Sequence, residues 1–214
     1  MTNSGIAARL SAAAAVLTMA FGLSAQMYPN PNANPGAGNA GAGSQPNGVG
    51  PMATATDNMA TAQRDADKEF VQKAIMGNRA EVDAGNLALQ KSNNADVKSF
   101  AQKMVDDHTA MLNDMNKVAE ELHIKAPQSA SGKDKAEAAK LSALSGSAFD
   151  SAYVKAMVKD HKKDVAELTK ESNSASIPEV KDAANKALPV VKGHLEMIQG
   201  IEKNMASSGS ASAK

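Results

Sequence analysis

Four long stretches of this chain, residues 67–92, 95–123, 147–172 and 178–204, repeat apolar side chains at alternating three- and four-residue steps. That period belongs to the α-helix and lines up each apolar set along one seam. In the second stretch the seam is Ala101, Val105, His108, Leu112, Met115, Ala119 and Leu122, and in the third it is Val154, Val158, His161, Val165 and Leu168. The fourth runs through Val180, Ala184, Ala187, Val191, His194, Ile198, Ile201 and Met205. The first carries two adjoining stripes, one through Val71, Ile75 and Val82 and one through Phe70, Ala74, Gly77, Glu81 and Ala84. Helices of similar length with one apolar seam each bury those seams against one another, so an all-α four-helix bundle is predicted over residues 67–206.

The connections choose among bundle topologies. Ser92-Asn93-Asn94 breaks the first helix from the second, and Ser176-Ile177-Pro178-Glu179 reads as a capping box with proline at the first helical position. Such short breaks make antiparallel neighbours of helices one and two and of the last two. The link between those pairs is long, residues 124–146, and a short helix capped by Asp134 is expected inside it over 134–145. One long central crossover is the ferritin-like arrangement.

Three of the four histidines interrupt the seams. Met104-Val105-Asp106-Asp107-His108 recurs as Met157-Val158-Lys159-Asp160-His161, and Val191-x-x-His194-x-x-x-Ile198 is a looser third copy. A polar ring at a core position needs a partner. Helix midpoints near residues 80, 109, 160 and 191 put Glu81, His108, His161 and His194 in one layer, within roughly 5 Å along the axis. Three imidazoles and a carboxylate form a ligand set for one transition metal ion, iron, manganese, zinc or copper. Asp107 and Asp160, turned about 100° from the seam, are candidate acceptors for a ring nitrogen on a neighbouring helix. Met104, Met157 and Met197 are candidate soft ligands. The competing reading is a metal-free polar layer that sets helix register. Val105, Val158 and Val191 stand three residues before the histidines where a di-iron centre would carry glutamates, which argues against that centre. His123 is expected to be a helix-end feature, and Pro189 to bend the last helix.

The remaining sequence speaks to compartment and partners. Arg9, the apolar run Leu10 to Leu23 and the small residue Ala25 read as a secretory leader cleaved near Ala25, which would make the protein exported, periplasmic or in the cell envelope. Residues 26–66 are rich in Pro, Gly, Asn and Ala and read as a disordered linker, and 207–214 as a disordered tail. No later stretch has the length of apolar residues that a membrane span needs. The 23 basic residues balance the 23 acidic ones and aromatics are 3% of the chain, so no nucleic-acid partner is expected. The absence of cysteine removes disulfides, thiolate metal sites and a thiol nucleophile. An envelope protein or a second copy remains as a partner.

Phe70-Val71-x-x-Ala74, Ala80-Glu81-Val82-x-x-Gly85, the paired Met-Val-x-Asp-His phrases, Leu144-Ser145-Gly146-x-x-Phe149-Asp150 and Leu188-Pro189-x-x-x-x-His194 together carry a resemblance. They are similar to a bacterial family of exported ferritin-like proteins that contain a domain of unknown function and are often labelled outer-membrane proteins. The resemblance spans residues 67–205 and implies a four-helix bundle in the cell envelope, with Glu81, His108, His161 and His194 at recurrent polar positions. It implies no reaction. The residues themselves lack the strands of alternating polarity that a membrane barrel needs. Three functions follow as expectations: a non-enzymatic metal-binding envelope protein, a structural or partner-binding stress module, and an iron- or manganese-dependent redox enzyme.

Overall fold

The computed structural model describes residues 55–211, so the expected leader, residues 26–54 of the linker and the last three residues lie outside the described part. Five helices form in chain order: α1 Ala55–Lys91, α2 Ala95–Glu121, α3 Gly132–Ser142, α4 Gly146–Ser174 and α5 Pro178–Ala211. α1 packs along α2 and α4 along α5, α2 also meets α5, and α3 lies against both α1 and α4. The fold is therefore the expected all-α bundle with a short helix in its crossover. Ala84 and Ala88 of α1 share a core with Val97 and Phe100 of α2, Phe149 and Tyr153 of α4, and Ile198 of α5. Late α1 thus meets early α2 and early α4, and the link from α2 to α4 has to run back along the bundle. That path is the reason for its length. Among the described residues no helix is long and apolar enough to cross a membrane.

Local chemistry sets the boundaries. Asn94 caps α2 by accepting from the amides of Asp96 and Val97 at 2.9 and 3.2 Å. At the other end His123, with φ of 54°, takes the left-handed position of a Schellman turn: its amide bonds Glu120 O at 3.0 Å and that of Ile124 bonds Ala119 O at 2.8 Å. Arg79 Nε holds the crossover by donating to Pro127 O at 3.1 Å, and Lys91 clasps the end of α3 through the carbonyls of Ser142 and Leu144.

Four expectations are corrected. α1 is already helical at Ala55, the first described residue and twelve residues before the expected start; its alanine-rich turns extend a helix already nucleated by packing. α5 runs on to Ala211 through residues expected in the tail. α3 is capped by Ser131, whose Oγ accepts from the Asp134 amide at 3.2 Å while donating to Asp134 Oδ2 at 2.7 Å. The Ser176 capping box is displaced by Asp67 of α1: its Oδ2 accepts from Ser176 N, Ser176 Oγ and Ile177 N at 2.7, 2.8 and 2.9 Å. Burial alone would raise the Asp67 carboxyl, but these bonds and one from Gln63 hold it below its ordinary value.

α1 and α2 approach most closely at Gly85, where an added Cβ would stand 2.9 Å from Val105 Cγ2 and 3.0 Å from Ala101 O. Backbone cannot yield as a side-chain tip can. Gly85→Ala is therefore expected to destabilise the chain by about 1–2 kcal/mol despite a helix-propensity gain of about 1 kcal/mol. Urea unfolding would check this, and a midpoint at or above that of the wild type would refute it.

Candidate metal centre

The apolar core is divided in two. One half lies around Phe100, Met104, Tyr153 and Ile198, the other around Val71, Ile75, Met115, Leu168 and Val180. Between them stand His108 of α2, His161 of α4 and His194 of α5, at 2%, 0% and 0% exposure, with buried Glu81 of α1 beside them. The ring centroids are 5.7, 5.3 and 5.6 Å apart, and Phe100 approaches two of the rings at 6.1 and 6.2 Å. One ligand nitrogen from each histidine lies within 4.8 Å of the other two.

Partners of the outward nitrogens define the tautomers. Asn78 Nδ2 donates to Ala74 O at 2.8 Å, which turns its Oδ1 toward His108. His108 Nδ1 then donates to Asn78 Oδ1 at 2.9 Å, with Glu81 Oε2 2.8 Å away. His161 Nδ1 donates to the carbonyl of Met157 at 3.0 Å, with Glu81 Oε1 3.6 Å away. His194 Nε2 donates to Asp107 Oδ2 at 2.7 Å, and Lys103 holds the same oxygen at 2.8 Å. Each ring therefore turns one N–H to the protein and keeps a lone pair on the other nitrogen. Those nitrogens, His108 Nε2, His161 Nε2 and His194 Nδ1, are buried and unpartnered.

Burial favours the neutral rings. It pushes His108 and His161 down to about 4, and it lowers His194 against the opposing pull of Asp107. Burial would raise Asp107, yet its bonds to Lys103 and His194 bring it below its usual value. Glu81 and Asp164 of α4 are hydrogen-bonded to each other, and burial raises Glu81 to about 7 and, with the Glu81 charge, Asp164 to about 8. Two carboxylates in contact in a dry site do not both ionise, so the pair holds one proton at neutral pH.

Glu81 shares the histidine layer, but it meets the Nδ1 side of the rings and lies outside the group of mutually close ligand atoms. Here Glu81 stands beside the rings rather than among the close ligand atoms, because axial level does not say which edge of a ring a carboxylate will face. Asp107 accepts from His194. Asp160 accepts from none of the three rings and instead lines a cavity of about 380 Å³ between α1 and α4, along with Glu81, His108 and Asp164. Met104 and Met157 pack in the first core half while Met197 is 38% exposed, so the thioethers do not form a common set. Asn78 and Asp164 escaped the sequence reading. Each stands one helical turn from a residue that it named, Glu81 and His161, and a search at three-residue steps would have found both.

Neutral imidazoles that turn one N–H to a carboxylate, carbonyl or carboxamide and the other nitrogen inward have the outer-shell chemistry of metal-bound histidine. Bonds of about 2.1 Å to one ion would place the nitrogens roughly 3.4 Å apart, so modest ring rotation closes the set. The three close donors suit a metal ion.

Fold and site together define a ferritin-like helical bundle with a buried three-histidine cluster. The chain belongs to the family described as Domain of unknown function (DUF4142), whose model matches residues 51–201. Among solved structures it is similar to the crystal structure of a DUF305 fragment from Deinococcus radiodurans, with a TM-score of 0.58 and 18% identity over 64% of this chain and 95% of that one. At that identity the likeness is one of fold. No curated protein matches the chain.

Proposed function

We propose that this is an exported metal-binding protein of the cell envelope that holds one transition ion on His108, His161 and His194. The observation that carries the reading is the set of three buried lone pairs, each fixed by a hydrogen bond on the far side of its ring. Without an electrophile those nitrogens forgo hydrogen bonds in a dry layer, an arrangement that costs about 1–3 kcal/mol per buried polar atom. Export rests on the leader over residues 1–25. No catalytic role is assigned.

Elemental analysis of the untagged full chain recovered from its exporting host, followed by titration with iron, manganese, zinc and copper, is the test. One ion per chain, absent from His108→Ala, is expected. No uptake by either protein would reduce the layer to a device for helix register, the reading favoured by the contacts that Asn78, Glu81 and Asp107 already make. Mass spectrometry of the same sample reports export directly: cleavage near Ala25 is expected, and an intact leader on all of the protein would refute it.

A further inference from the structure

The histidine layer is closed along the bundle axis by an apolar core half on each side. An ion bound there has to arrive from the flank. The cavity of about 380 Å³ between α1 and α4 reaches the layer, and Glu81 and His108 form part of its wall. Asp134, Asp160, Asp164 and Glu167 line it as well, against Lys73, Lys133 and Lys163. Lys163 pairs with Glu167 at 3.3 Å and Asp164 is engaged with Glu81, which leaves Asp160, next to His161 on α4, as the free carboxylate nearest the layer.

A row of acids by itself is a solvated face. Two further observations give this one a direction. His108, whose Nδ1 neighbours Asn78 and Glu81 also line the cavity, has a buried Nε2 without a partner on the far side of its ring, so one ring separates the cavity from the ligand nitrogens. Gly77 also lines the cavity, and nothing stands within 4 Å of the place where its Cβ would be, so this wall of α1 borders open space.

We infer that the cavity is the path by which a hydrated divalent cation reaches the three histidines, with Asp160 replacing part of its water shell on the way. The inference rests on the metal-binding reading and adds a route to it. Carboxylate oxygens are the side-chain donors most like water, and imidazole nitrogens bind first-row ions more selectively, so the order from mouth to core suits a transfer. Low-dielectric walls that carry more acids than lysines concentrate cations at the mouth.

The test is stopped-flow uptake and release of Co²⁺ by the full chain, read in its ligand-field absorption, for the wild type, Gly77→Phe and Asp160→Asn. Gly77→Phe plugs the path without touching the histidines. Association and dissociation are expected to slow together, by about tenfold, with Kd little changed. Asp160→Asn is expected to slow association by a similar factor and to weaken its dependence on salt. A wild type that takes up no cobalt would overturn the metal reading and this inference with it. A wild type that loads cobalt beside a folded Gly77→Phe with an unchanged association rate would overturn the route alone. Should Gly77→Phe fail to fold, Asp160→Asn decides: an unchanged association rate, or a loss carried wholly by faster release, refutes the route.

Discussion

Saturating Zn²⁺ is expected to raise the melting temperature of the wild-type chain by roughly 10 °C and that of the His108→Leu, His161→Leu, His194→Leu variant not at all. A ligand that binds only the folded state at a thousand times its Kd contributes about 4 kcal/mol, and a bundle of this size gains about 2–4 °C per kcal/mol. The metal-free state supplies the second half of the prediction. Three leucines of similar bulk would replace three unpartnered nitrogens and join the apolar core halves on either side of the layer. Glu81 would keep Asp164, and the partly exposed Asp107 would keep Lys103. The metal-free variant should therefore melt no lower than metal-free wild type, since a buried polar cluster replaced by packed apolar groups is often neutral or stabilising. Thermal scans of both proteins with and without zinc check both halves. An equal zinc shift in the variant would place the ion elsewhere, and a collapse of the metal-free variant would make the layer itself the source of stability.

The second large effect concerns acid. His108 and His161 titrate near 4 in the fold against 6.5 as free side chains. Between those values the unfolded chain binds more protons, so stability is lost as pH falls from 6.5 towards 4. At about 1.4 kcal/mol per proton per pH unit, each ring accounts for about 3 kcal/mol over the full window. His194 acts in the same direction. Glu81 and Asp164 act in the opposite one, because their folded values are raised. Their contribution is fully present below the ordinary carboxylate range and is lost as pH rises through about 7 and 8. The metal-free chain is thus expected to be most stable near pH 6.5, falling gently on the acid side where the carboxyl pair offsets the imidazoles. Glu81→Gln removes the Glu81 share of that offset. Its acid limb should steepen by about 1.4 kcal/mol per pH unit, with a flatter alkaline limb. Urea unfolding at pH 5, 6.5 and 8 reads both slopes, and a Glu81→Gln chain equally stable at pH 5 and 6.5 would refute the assignment of neutral buried imidazoles.

Much of the site is a consequence of periodicity along single helices. A three-four repeat states which side chains share a seam, and rise per residue states their level, so His108, His161, His194 and Glu81 could be put in one layer before any contact was known. The turn of about 100° between neighbours likewise aimed Asp107 away from its own seam and toward another helix. Periodicity carries no information about how one helix is rotated against the next, or which rotamer a side chain takes. Those quantities decided that Glu81 meets the Nδ1 edges, that Asn78 shares His108 with it, and that Asp164 faces Glu81. They also put Met197 at the surface and turned Asp160 to the cavity.

The same division holds for the helix ends. Asn94 caps its own helix two residues away, within reach of local sequence chemistry. Asp67 holds the start of α5 across 109 residues, and no local pattern announces a bond of that separation. The chain's own chemistry dictates helices, seams and the level of each polar residue, because these depend on neighbours along one backbone. Which nitrogens are left without partners, and from which flank an ion can reach them, is decided by the packing of four helices and their crossover, because each of those contacts joins side chains from different segments.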